Sequence, residues 1–265
     1  MDIGLLQKRF GDIGARLKVG AALRRWGRTD AGINIRTDDR GEYFDIRVEA
    51  GDAVEYDVVN VRPEMRHLLL MTRRPASKEK FLCGHDERHW FVCAVPGQGV
   101  ADVHTALETL QPWEVRLAVA RRVRRAKNRL RRHNEAFTRQ GEWFFIPAPN
   151  LVVDEKLVQR NEPISRGRGS KPHMCQFLYR VGGEVVMVCN NRPLGVTLDQ
   201  YRKLLKARPK ASKWDWREMR RDAFVYVRGR VWHGDHKTVV LDGWHRVLMN
   251  TEGSAPGSAR VVFLD

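Results

Sequence analysis

Cysteine is scarce in this 265-residue chain, with four residues at positions 83, 93, 175 and 189 and no CxxC pair among them. This rules out the usual zinc-ribbon spacings and offers no disulfide framework. Missing too is any apolar run near the ~20 residues a membrane helix needs, and the N-terminal MDIGLLQKRFGDIGARLKVG has no signal-peptide centre. A GxxxxGK motif followed by Ser or Thr is also absent, so nothing supports nucleoside triphosphate hydrolysis. These absences lead to the expectation of a cytoplasmic protein with buried free thiols and no membrane partner. If Gly182-Gly183 closes a two-residue hairpin, Cys175 and Cys189 point to opposite sides of the sheet and cannot pair.

Negative charge is thinnest between Pro112 and Arg139, where nine arginines and one lysine face only Glu114 and Glu135. The resulting +8 is half of the whole chain's +16. Pro112 suits a helix start, Gly141 a stop, and Trp113, Leu117, Ala120, Val123, Ala126, Leu130 and Phe137 recur at steps of three or four. The pattern predicts one helix of roughly 40 Å with a narrow docking stripe and a cationic outer face. That face carries Arg121, Arg122, Arg124, Arg125, Lys127, Arg129, Arg131 and Arg132. Solvated faces usually mix signs, whereas an arginine fork suits phosphate, so the segment points to a polyanion.

Elsewhere, residues 2 to 18 have an amphipathic helical pattern, and a basic cluster, Arg24, Arg25 and Arg28, surrounds Trp26. From Ile33 the period becomes two, and INIRT, EYFDIRV, VEYDVVNV, RHLLLMTR, EKFLCG and RHWFVCAV read as consecutive antiparallel strands. After Gly141 come the strand EWFFIP, a loose stretch RNEPISRGRGSKPH, a hairpin around Gly182-Gly183 and a helix opened by Thr197 and Gln200. A three-stranded meander then turns at Gly234-Asp235 and Asp242-Gly243, before a last strand RVVFLD. The fold class expected is α+β, with antiparallel meanders and hairpins flanking one long basic amphipathic helix. Its lobes would be 1–141 and 142–265, or one compact unit.

Several places carry candidate chemistry. CGHDERHW gathers His85, Asp86, Glu87 and His89 at one turn, a set able to hold a divalent metal ion or share a proton. The competing interpretation is a polar hairpin tip with ordinary ion pairs. In WHGDHKT, His233 and His236 face each other across a two-residue turn and can share a ligand, while His245 falls roughly 13 Å away at about 3.3 Å per residue. That pair would need a carboxylate from elsewhere to hold metal, and contact with an anion or simple packing is the preferred reading. Arg230, Trp232, Lys237, Trp244 and Arg246 are expected on one sheet face, a mixture suited equally to stacking bases or to a core of tryptophans with arginines reaching past it to the edge. Arg166, Arg168 and Lys171 keep the loose loop positive. The leading expectation is a nucleic-acid-binding protein, with RNA or single-stranded DNA ahead of duplex. The alternatives are a metal-dependent nuclease or phosphodiesterase using the His85 cluster, and a basic module for an acidic protein partner.

Overall fold

A computed structural model of the chain describes residues 2–22, 24–25, 28–29, 32–51, 53–97, 99–166 and 171–254. Trp26, Arg168 and the expected strand RVVFLD lie outside the described residues. The chain divides into two units: residues up to Glu135 together with the segment from Asn250, and Ala136–Met249. The cut expected at Gly141 falls inside the second of these.

The first unit opens with α1 (Ile3–Asp12), whose Asp2 side chain accepts the Leu5 amide at 2.9 Å. The helix stops well short of residue 18 because Gly14 takes a left-handed conformation, after which Leu17 enters β1 (Leu17–Ala21). Two short strands follow, β2 (Arg24–Arg25) and β3 (Arg28–Thr29), then the hairpin of β4 (Gly32–Asp38) and β5 (Gly41–Val48). β1 pairs parallel with β5. The next strands are β6 (Glu55–Arg62), β7 (His67–Arg74), β8 (Ser77–Asp86) and β9 (His89–Val95), and they form a consecutive antiparallel sheet, as their alternation predicts. Leu68, Leu69 and Leu70 of β7 are fully buried. Leu68 and Leu70 join Phe10, Phe44 and Ile46 in one core, while Leu69 joins Val103 and Ala106 in another. A central strand covered on both faces explains the unbroken apolar run. Val103 and Ala106 belong to α2 (Val103–Thr109), closed at its start by a reciprocal Asp102–Thr105 capping box.

The long basic helix is not formed. α3 spans only Trp113–Arg122, and Val123 is extended at φ −94°, ψ 101° with its side chain buried. A single 3-10 turn, Ala126–Asn128, follows, and Asn134 Nδ2 donates to the carbonyls of Asn128 and Arg131 in place of helical bonds. The expected stripe is also out of phase, since Val115 and Val119 are buried while Trp113 and Leu117 are exposed. Two physical reasons account for this. Apolar residues occur on both sides of the segment, leaving its phase undetermined. Continued helix would also stack Arg121 on Arg125 and Arg125 on Arg129, like-charge pairs that each cost about 0.2–0.5 kcal/mol. The described residues are instead β-rich, with four short α-helices. The expected fold of hairpins around one long helix is overturned.

The second unit contains a six-stranded antiparallel sheet in the order β10-β11-β18-β17-β13-β12. Its strands are β10 (Thr138–Gln140), β11 (Trp143–Pro147), β12 (Gln159–Ile164), β13 (His173–Val181), β17 (Phe224–His233) and β18 (His236–Met249). A three-stranded sheet combines β14 (Glu184–Cys189), β15 (Arg192–Thr197) and β16 (Arg217–Arg221), with α4 (Leu198–Ala207) capped by Thr197 and Gln200. The expected hairpin of β13 with β14 does not form. Gly182 and Gly183, both at positive φ, carry the chain from one sheet to the other, and β13 pairs with β12 and β17. All four cysteines are nevertheless free and buried. Asp242-Gly243 is no turn either, because β18 runs through it with an irregularity opposite Arg228. Part of the loose stretch, Gln159–Ile164, forms β12 at the sheet edge, where Pro163 is tolerated.

Candidate nucleic-acid interface and histidine cluster

Loss of the helix does not hide its charges. Arg121, Arg122, Arg124, Arg125, Lys127, Arg129 and Arg131 are all exposed, and among the described residues none of their side chains enters an ion pair. Buried Val123 pins the segment midway, and Gln111 Nε2 donates to the Arg129 carbonyl at 3.4 Å. Arg132 differs, being in ion pairs with Asp86 and Glu87 at the β8–β9 tip. That contact anchors the end of the cationic segment on a hairpin of its own unit.

The same contact accounts for much of the His85 cluster. Asp86 and Glu87 face Arg132, and His89 Nδ1 lies 2.7 Å from Glu42 Oε1, whose partner oxygen accepts the Trp90 amide at 2.9 Å. His85 sits edge-on to Trp90 with ring centroids 4.9 Å apart. Burial, then the neighbouring Arg66 charge, holds its pKa below the usual value. The four residues share a hairpin end, but their groups are directed at protein partners and form no converging ligand set among the described residues.

On the second unit, β13, β17 and β18 present a mixed aromatic and cationic face opposite the core of Val227, Val231, Cys175 and Leu178. The Arg228 guanidinium lies 5.1 Å from the Phe177 ring centroid and 4.8 Å from that of Trp244, and Arg160 covers Phe177 at 5.4 Å. Tyr179 is 6.3 Å from both Tyr226 and Trp244, and Arg246 lies 4.7 Å over Phe224. Glu155 holds Arg228 at 2.8 Å. Trp244 reaches this face through the irregularity at Gly243, whose φ is +78°. Arg230 is exposed and Trp232 half-buried, in register with Met174. Lys237 is exposed, but a second irregularity between Val231 and His233 takes it out of its expected register with Trp232. Arg166 is exposed as well, and Lys171 is drawn to Asp235 at 2.9 Å.

At one end of the same sheet, His233 and His236 are partners across the Gly234-Asp235 turn, as their spacing predicts. His245 is far along the strand, opposite Val227 and Pro147. The third imidazole is His173, which opens β13 beside His233 and stacks on it at 4.2 Å. His173 is 1% exposed, and neither ring nitrogen has a hydrogen-bond partner among the described residues. Burial, then the charges of His233 and His236, lowers its pKa to about 3, so the ring is neutral at ordinary pH.

The chain matches no family model, no curated protein and no solved structure significantly. Sequence reasoning missed Phe177, Tyr179 and Tyr226, the aromatic neighbours of Arg228. Their i, i+2 spacing was available, but only the pairing of β13 with β17 puts them side by side. His173 gave no signal at all, standing at the end of a stretch read as unstructured.

Proposed function

We propose that the protein binds nucleic acid, and RNA or single-stranded DNA in preference to duplex. The observation that carries this reading is the segment from Arg121 to Arg131, which exposes seven cations with no protein counterion among the described residues. Phosphates supply the missing charge, and each guanidinium can grip one bidentately. The preference for unpaired strands rests on the half-buried Phe177, Arg228 and Trp244 face, since rings and guanidinium planes stack on bases that a duplex keeps covered. The nuclease alternative is less favoured than binding, because Asp86, Glu87 and His89 face Arg132 and Glu42. Four free, buried thiols suit a reducing, cytoplasmic setting. No helix of the described residues is long and apolar enough to cross a membrane.

The test is binding of the full chain to labelled single-stranded and duplex oligonucleotides across a salt series. A steep linear fall of log affinity with log salt, and tighter binding to the single strand, are expected. A salt-independent affinity, or none at low salt, overturns the reading. Retention of acidic proteins but not oligonucleotides would assign the surface to a protein partner instead.

A further inference from the structure

We infer that His173, His233 and His236 form a binding site for a divalent transition ion of the zinc type. Three neighbouring strands, β13, β17 and β18, each contribute one imidazole at the same end of the sheet, and one nitrogen from each lies within 4.8 Å of the others. In a tetrahedral site with Zn–N of about 2.0–2.1 Å, ligand nitrogens stand roughly 3.4 Å apart, so loading draws them together by about an ångström and turns the nearly parallel, stacked rings about their side-chain torsions until their in-plane lone pairs meet at the ion. The backbone supplies the convergence. His233 and His236 are fixed by a two-residue turn, and His173 by its place next to them on β13.

His173 is the second, independent observation. Burying a polar ring without hydrogen bonds leaves the desolvation of each unmet group uncompensated, and here both nitrogens are unmet while the ring lies against two other imidazoles. A metal ion provides the partner that the protein does not. Gly141 keeps the His236 ring clear of a side chain, since a Cβ there would stand 2.7 Å from His236 Nε2. Three neutral nitrogen ligands select a borderline ion over Mg²⁺ or Ca²⁺, which take oxygen. A fourth position is left for water or an anion, the arrangement of an open rather than a closed site.

One contact changes on loading. The Asp235 amide donates to His233 Nδ1 at 3.1 Å. Coordination through Nε2 puts the imidazole proton on Nδ1, so this hydrogen bond must lengthen as the ion enters. The Asp235 amide therefore reports occupancy without any assay of activity.

The experiment is calorimetric titration of chelator-treated full-length protein with Zn²⁺, beside Co²⁺ absorption and amide NMR. One equivalent per chain, intense Co²⁺ visible bands from low coordination and a shift of the Asp235 amide are expected. His173→Gln and His236→Gln should each weaken Zn²⁺ binding by more than about 100-fold, beyond the roughly 10–100-fold that loss of an outer-shell partner costs. His245→Gln, on the same strand but outside the cluster, should leave it unchanged. Because His173 is buried, circular dichroism must show each variant folded, and the partly exposed His233→Gln gives a second route if His173→Gln is not. Wild-type protein that binds no Zn²⁺, or variants that bind it unchanged, would overturn the site. Failure here leaves oligonucleotide binding untouched, since the cations at Arg121–Arg131 belong to the other unit.

Discussion

The two cationic surfaces handle charge in opposite ways. Between Arg121 and Arg131 the guanidinium groups stand without carboxylates or rings, whereas on the sheet Arg228 lies between Phe177 and Trp244 and is tied to Glu155. The first arrangement maximises field and leaves the side chains free to follow a phosphate backbone. The second spends its charge locally and fixes a flat platform. The difference teaches that net charge identifies where a polyanion is attracted, while ring placement determines what part of it can be read.

The comparison breaks most sharply if the first surface is neutralised. Replacing Arg121, Arg122, Arg124 and Arg125 by glutamine should lower single-strand affinity at least ~100-fold at moderate salt and reduce the salt slope by about 3, at roughly 0.7 per phosphate contact. An unchanged slope in fluorescence titrations would separate these residues from binding. On the platform, Trp244→Ala or Phe177→Ala should cost about 1–3 kcal/mol toward single strands, with the slope and duplex affinity hardly altered. Equal losses on both substrates would show that the rings only support the sheet.

A subtler change moves one residue from the paired class to the unpaired. Asp86→Asn with Glu87→Gln releases Arg132, and should cost about 1 kcal/mol of stability in urea melts while steepening the salt slope by ~0.7. The smallest effect concerns Asp38, whose carboxyl Arg16 and then Lys18 hold below its ordinary 3.8. Its folded pKa is depressed, so its contribution is complete above that ordinary value and is lost as pH falls through the folded one. Carboxyl NMR titration should find Asp38 still ionised well below pH 3.8, and Asp38→Asn should flatten the acid limb of stability.

How far the sequence revealed this depended on whether the signal was local. β4 with β5, and β6 through β9, alternate cleanly and are joined by short turns, so within each set neighbours in sequence are neighbours in the sheet, and only the step from β5 to β6 changes sheet. The α4 cap was legible for the same reason. At Gly182-Gly183 the turn was visible but not its destination, because a positive-φ glycine pair fits a hairpin and a change of sheet equally well. Likewise Gly243 allowed a turn and provided an irregularity instead. For the candidate sites, the exposed arginines could be read from composition alone, although their helix could not. The imidazole cluster was two-thirds readable, since His233 and His236 are set by one turn while His173 arrives through the nonlocal pairing of β13 with β17.

The chain's return to its first unit also has a consequence. Thr251 donates from its amide to the Leu110 carbonyl at 3.1 Å and from its hydroxyl to that of Thr109 at 2.7 Å. Those two acceptors end α2 directly ahead of α3, so the platform that launches the arginines is finished only when the ribosome has passed residue 251. Truncation after Glu135 would therefore yield a fragment that keeps the cations of Arg121–Arg131 but has an incomplete foundation beneath them.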